Sequence, residues 1–227
     1  MPAPLSTLLA RWLQRSDDRR VMARDPRGET AWDHAVAAAD RVATALLDGR
    51  RSLEGERVGL LVSPGADFVA CMFGVFRAGG CLVVLSPLHP APETAYFCAD
   101  ARVRTVIASP ELAERIAFLA PERRIVTTDA VLAGPHGTIV ATPHDEDPAL
   151  QLYTSGTTGK PKGAIITHGN LAQQQALLEQ AWAWNADDVL LHVLPLHHLH
   201  GLGIALLTAL GAGASAHFVP FDPRATW

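Results

Sequence analysis

Residues 153–163 read Tyr-Thr-Ser-Gly-Thr-Thr-Gly-Lys-Pro-Lys-Gly. Tyr153, Thr154, Ser155, Thr157 and Thr158 bear hydroxyls, Gly156, Gly159 and Gly163 permit tight turns, and Lys160 and Lys162 bring positive charge. Glycine backbone approaches a ligand closely and can aim its N–H groups at an anion. Hydroxyls add short neutral donors. The combination describes a loop that holds a polyphosphate. Of the chain's 19 basic residues only these two are lysine, and every other cation is arginine. Lysine is a compact point charge on a flexible stem, arginine a planar fork, so the choice here is a chemical one. A solvated Gly/Thr loop with incidental charges is the plain alternative. A Walker A loop is excluded: Thr154 stands where its first glycine belongs, and Pro161 where Ser or Thr must follow the lysine.

A second constellation follows at 194–201, Leu-Pro-Leu-His-His-Leu-His-Gly. Three histidines stand just beyond a strand-like run, and carboxyl ends of strands in open α/β sheets are where ligands sit. Three readings compete. His197, His198 and His200, with His192, are zinc-type ligands, but no cysteine or carboxylate neighbours them in sequence. They can equally be solvated or locally hydrogen-bonded imidazoles. The third reading makes them part of a substrate pocket.

The elements that must position these residues alternate along the chain. Apolar spacing predicts helices over 5–14 and 31–47, the second ended by Gly49. A buried strand is expected over 57–62, then a helix from a Ser63 cap and Pro64 to about Ala78, stopped by Gly79 and Gly80. A strand over 81–85, a helix over 92–101, a strand over 104–108 and a Ser109-capped helix to about Leu119 continue the series. Short strands are expected at 124–127 and 137–141. The polar run 143–148 is the best internal boundary, a candidate subdomain junction. Strands over 149–154 and 163–167 then flank the lysine loop, so it joins two strands, not a strand and a helix. A helix over 170–184, a strand over 187–194, a helix over 199–210 and a strand over 214–219 complete the pattern. Such alternation predicts an α/β fold, mostly parallel sheets flanked by helices.

Composition sets the outer bounds. The chain has 227 residues, is 48% hydrophobic and carries a net charge of −4, which is ordinary for a soluble globular protein. No basic run exists, so nucleic acid is not an expected partner. Cys71, Cys81 and Cys98 form no CxxC pair and read as buried thiols of a cytoplasmic protein. The first residues lack a secretory signal. Residues 5–15 are amphipathic and arginine-bearing, but Asp17 and Asp18 follow, which favours an ordinary first helix. The apolar run 201–216 has 16 residues, short of the roughly 20 that a membrane span needs, and reads as a buried helix and turn.

The 153–163 stretch resembles, without a break, the signature loop of the adenylate-forming superfamily: acyl-CoA synthetases, peptide-synthetase adenylation domains and luciferases. Residues 195–201 look like that superfamily's next motif, a Pro-Leu-aromatic-His stretch beside the acyl pocket and thiol tunnel. His198 falls at its histidine, and His197 stands where phenylalanine is commoner. The wider run 182–201 and the ending 219–227 are similar to malonyl-CoA synthetases within it. The resemblance is strong from about Ala149 onward and weaker before. It implies activation of a carboxylic acid with ATP and Mg²⁺ to an acyl-adenylate, then transfer of the acyl group to coenzyme A. Malonate or methylmalonate is the first choice of acid, a medium-chain or aryl acid the second. By position, Thr154, Ser155, Gly156, Thr157, Thr158, Gly159, Lys160 and Lys162 would bind ATP phosphates, and His198, His200 and Gly201 would border the acyl and CoA pocket. The glutamate expected to hold Mg²⁺, the ribose-binding aspartate and the small C-terminal domain with its adenylation lysine have no matching position. The chain is therefore expected to be an incomplete N-terminal adenylation domain, inactive alone and able to associate with the rest of such a ligase. A non-catalytic nucleotide-binding module or truncated gene product is the alternative.

Overall fold

The computed structural model describes residues 4–154 and 159–220. Two sheets organise them. The larger has six strands, β3 (Arg57–Leu61), β4 (Cys81–Val84), β5 (Thr105–Ala108), β6 (Arg124–Thr127), β7 (Pro148–Thr154) and β8 (Lys162–Thr167), in the order β6-β5-β3-β4-β7-β8. All neighbours are parallel except the β7–β8 hairpin. The smaller has the order β2-β1-β10-β9, built from β1 (Val21–Asp25), β2 (Gly28–Ala31), β9 (Val189–His192) and β10 (Ser215–Phe218). The α/β expectation holds, with helices flanking the sheets.

Alternation along the strands of the six-stranded sheet feeds two cores. Leu60, Leu82 and Ile107 point into one, while Leu61, Val83 and Val106 point into the other, as the two-residue strand period requires. The first core is the larger and extends to Ala216 and Phe218 of the small sheet. At its centre runs α3 (Ala66–Arg77), buried from Phe68 to Phe76 without a solvent face. A helix apolar all round is one that lies inside. Its Phe73 stacks on Trp12 of α1 (Thr7–Leu13) at 3.8 Å, and Trp12 meets Trp32 of α2 (Trp32–Leu47) edge-on. The second core is covered by α4 (Ala91–Asp100) through Phe97 and Cys98, and by Ile116 and Leu119. All three cysteines are free and buried, and burial pushes each thiol up, to about 11 for Cys81 and Cys98.

Several local readings change. Ser63 does not cap α3: the helix starts at Ala66 after Gly65, and the carboxylate of Asp25 accepts the Ala66 N–H at 2.9 Å. Ser63 Oγ instead donates to Glu111. Ser109 precedes α5 (Pro110–Ala113), but its Oγ accepts from the Ser63 N–H, and the helix tightens to 3₁₀ over Glu114–Leu119. Residues 137–141 form no strand. The Gly137 N–H binds Thr44 Oγ1 and the Ala141 carbonyl accepts from Arg77, so side chains replace a ladder. The β1–β2 hairpin and α6 (Thr128–Leu132), capped by Thr127, are additions. α7 (His168–Trp182) begins two residues earlier than expected, behind a Thr167/Asn170 capping box. Residues 143–148 pass under the start of α1: the Pro143 carbonyl accepts the Ser6 N–H, and Asp145 accepts from both the N–H and Oγ1 of Thr7.

Candidate functional site

The lysine loop closes the β7–β8 hairpin, strand to strand as expected, with Thr154 paired to Lys162 at its mouth. Ser155, Gly156, Thr157 and Thr158 lie outside the described residues. Thr154, Gly159, Lys160 and Lys162 are exposed at the carboxyl end of β7. Gly159 holds φ +119, with nothing among the described residues within 4 Å of where a Cβ would stand. Lys160 Nζ lies 5.7 Å from the centre of the Tyr96 ring, a cation–π contact. The Tyr96 hydroxyl donates to the Pro161 carbonyl at 3.0 Å. The loop's second half is therefore held from α4.

Tyr153 plays a different part from its neighbours. Its ring stacks on Phe97 at 4.2 Å, and its hydroxyl donates to Asp100 at 2.6 Å and accepts from Gln151. Burial, with the Asp100 carboxylate beside it, pushes the phenol well above its ordinary range. It anchors the hairpin to α4. Gly163, its cross-strand partner, leaves room for Gln151 and the Tyr153 ring, which a Cβ would strike.

The histidine turn follows β9. His192 is buried, its Nε2 within 3.0 Å of the Gly201 carbonyl and its ring against Phe218. Burial holds His192 below the usual imidazole range. Gly201 is buried, and a Cβ there would run into the Pro195 carbonyl. His198 and His200 are exposed. After His200 the chain winds as a π-helical stretch, His200–Leu206, before α8 (Leu207–Ala212). Among the described residues no group of three His, Cys, Asp or Glu side chains has the geometry to hold a metal. His192 turns to Gly201 rather than to the other three imidazoles.

The two constellations meet through residues that sequence reasoning passed over. Tyr96 stands edge-on to Tyr153 at 6.3 Å and Tyr153 stacks on Phe97. Phe97 meets His89 at 5.1 Å, His89 meets His197 at 5.1 Å, and His197 lies on His198 at 4.1 Å. A continuous row of rings thus runs from Lys160 to His198. His197 is pushed down to about 4 by burial and by His198 and His89, so it is neutral near pH 7. Burial also lowers His89, whose Nδ1 has no partner among the described residues. The segment 89–97, His-Pro-Ala-Pro-Glu-Thr-Ala-Tyr-Phe, sets His89 two residues before α4 and Tyr96 and Phe97 within it, and its spacing alone does not mark them as a row.

The sequence profile of the family described as AMP-binding enzyme matches residues 9–227. The chain belongs to that family, the adenylate-forming enzymes. The malonate–CoA ligase of Bos taurus mitochondria is 37% identical over 194 residues, covering 81% of this chain and 32% of that protein. The malonate–CoA ligase of Arabidopsis thaliana is 33% identical, covering 81% of this chain and 33% of its own length. Among solved structures, ATP-bound MatB from Rhodopseudomonas palustris superposes with a TM-score of 0.87 at 31% identity, covering 98% of this chain and 47% of that one. The chain thus spans about a third of these curated relatives and under half of MatB.

Proposed function

We propose that the chain is the phosphate- and acid-binding part of an ATP-dependent acid–CoA ligase acting on malonate or methylmalonate. The observation that carries this reading is the row of rings that joins the lysine hairpin to the histidine turn. It sets a cationic, glycine-bearing loop beside neutral imidazoles at the carboxyl ends of β7, β4 and β9. The relatives named malonate–CoA ligases support the choice of acid.

In this reading a carboxylate oxygen attacks the α-phosphorus of ATP and pyrophosphate leaves. The coenzyme A sulfur then attacks the acyl carbon and AMP leaves. Charge builds on the departing pyrophosphate, so fixed donors and cations aimed there are what accelerates the step. Lys160, Lys162, Thr154 and the Ser155–Thr158 segment would supply them, and Tyr96 would hold Lys160 in place. His198, His200 and Gly201 would border the acid and the thiol. Mg²⁺ would neutralise phosphate charge, held by residues that this chain does not match. Activity is proposed to need those further portions and association with them, and residues 143–148 are proposed as a junction between subdomains within this chain. The free, buried cysteines favour the cytoplasm, while the bovine relative is named mitochondrial; no helix among the described residues is long and apolar enough to cross a membrane.

Two measurements test this. The 227-residue chain alone should release little pyrophosphate from malonate, ATP and Mg²⁺. Replacing the matching portion of R. palustris MatB with this chain should restore malonate-dependent release, and Lys162→Ala in that chimera should reduce it by about tenfold or more. A folded chimera that prefers an aryl or medium-chain acid would reject malonate. ATP titration of the chain alone addresses the second reading, a nucleotide-binding module: equal binding by the parent chain and Lys162→Ala means that the loop is not the site.

A further inference from the structure

At the opposite end of the strands of the six-stranded sheet, where β3 and β5 begin, lies an open basin of about 1010 Å³. Arg57 opens β3 and Arg104 immediately precedes β5, so this basin faces away from the lysine loop, which follows the end of β7. Five arginines and three carboxylates line it. Of the three carboxylates, Glu56 is paired with arginine, and the five arginines outnumber all three. Glu56 pairs with Arg50 at 3.0 Å and with Arg104 at 4.0 Å, and Asp100 accepts the Tyr153 hydroxyl. Among the described residues neither Glu54 nor Asp100 has a cationic partner. Arg51, Arg57 and Arg102 enter no ion pair among the described residues. Arg57 is the most informative of them. Half-buried, it makes among the described residues only long bonds to neutral acceptors, 3.4 Å from Nε to Gln151 Oε1 and 3.3 Å from Nη1 to the Gly55 carbonyl. Its remaining N–H groups face the open basin, where an anion's oxygens can replace water on them.

We propose that this basin binds a small, multiply phosphorylated anion, at a site separate from the lysine loop. Arginine forks match phosphate oxygens two at a time, and several forks around one open volume suit several phosphate groups better than one carboxylate. The chain's net charge of −4 opposes the approach of a long polyanion such as nucleic acid, while a compact ligand feels chiefly the local arginines.

The probe is inorganic tripolyphosphate, titrated calorimetrically into the full 227-residue chain at about 0.15 M salt. A Lys160→Ala/Lys162→Ala chain removes the loop's cations and should still bind one equivalent. Arg51→Gln/Arg102→Gln alters two exposed side chains without touching the core, and should weaken that binding by about tenfold. Arg57→Gln should do the same, with circular dichroism reporting its fold. ATP competing against tripolyphosphate separates a nucleotide from a bare phosphate chain, and binding in either arm supports the site. The proposal is overturned if the double arginine variant stays within about twofold of the parent, if the lysine variant loses all binding, or if the parent binds nothing.

Discussion

At the scale of single residues, Tyr96 is the side chain whose role is best defined by geometry and least visible in sequence. Its hydroxyl bonds the Pro161 carbonyl and its ring faces Lys160, so two weak contacts act on adjacent residues of one loop. An exposed cation–π contact contributes about 0.5–1 kcal/mol and a hydrogen bond about 1 kcal/mol. Tyr96→Leu should therefore free the second half of the loop by about 1–2 kcal/mol, roughly tenfold in its open population. Trypsin reports this at Lys162–Gly163, the first bond of β8, which is exposed when the end of the hairpin frays, while Pro161 protects the bond after Lys160. Cleavage there should accelerate about tenfold in Tyr96→Leu and only a few-fold in Tyr96→Phe, which keeps the ring. Unchanged cleavage would remove Tyr96 from the loop's support. The loop itself was legible because its residue types crowd into one short stretch. Tyr96, Phe97 and His89 were not, because each looks like an ordinary helix or turn residue until the fold lays it against Tyr153 or His197.

At the scale of elements, strands and helices with strong apolar runs were readable, and those defined by neighbours were not. The β1–β2 hairpin has few buried positions of its own and gains its place by pairing with β10, far along the chain. Residues 137–141 look strand-like in composition, yet Thr44 and Arg77 take up their backbone groups. The expected helix from 199 was real, but its π-helical first turns could not be read from spacing. Gly201 explains part of that geometry. It leaves no room for a Cβ beside the Pro195 carbonyl, and His192 binds its own carbonyl. The obstacle is backbone, which cannot rotate aside. Gly201→Ala should cost about 1–3 kcal/mol through overpacking, read as a lower urea midpoint with an unchanged slope. A midpoint equal to the parent's would mean that the turn shifts freely, and the π-helical winding is then not enforced there.

At the scale of the whole molecule, the two sheets share one core, and His168 sits at a junction that keeps it so. It opens α7, its Nδ1 lies 3.2 Å from Ser6 Oγ at the start of α1, and its ring meets Phe76 of α3 edge-on. Nε2 is buried without a partner, and burial pushes the imidazole down to about 4 despite the nearby Asp147 and Asp145 carboxylates. The ordinary histidine value is about 6.5, so the unfolded chain takes up this proton first. The stability at stake is fully present above about pH 6.5, and it is lost progressively as pH falls toward about 4. Between about pH 7 and pH 4.5 that loss amounts to roughly 2–3 kcal/mol. His197, held down to about 4, and His192 and His89, also lowered by burial, lose stabilisation over the same range, and Asp18 and Glu111 do so at still lower pH, so the parent chain alone does not isolate His168. His168→Gln does. The variant should be less stable near pH 7, where it disturbs the α1–α7 junction, yet its urea midpoint should fall less steeply between about pH 6.5 and 4.5. Parallel pH profiles for variant and parent would show that His168 protonates as readily in the folded chain as in the unfolded one, and that the junction is not what acid opens.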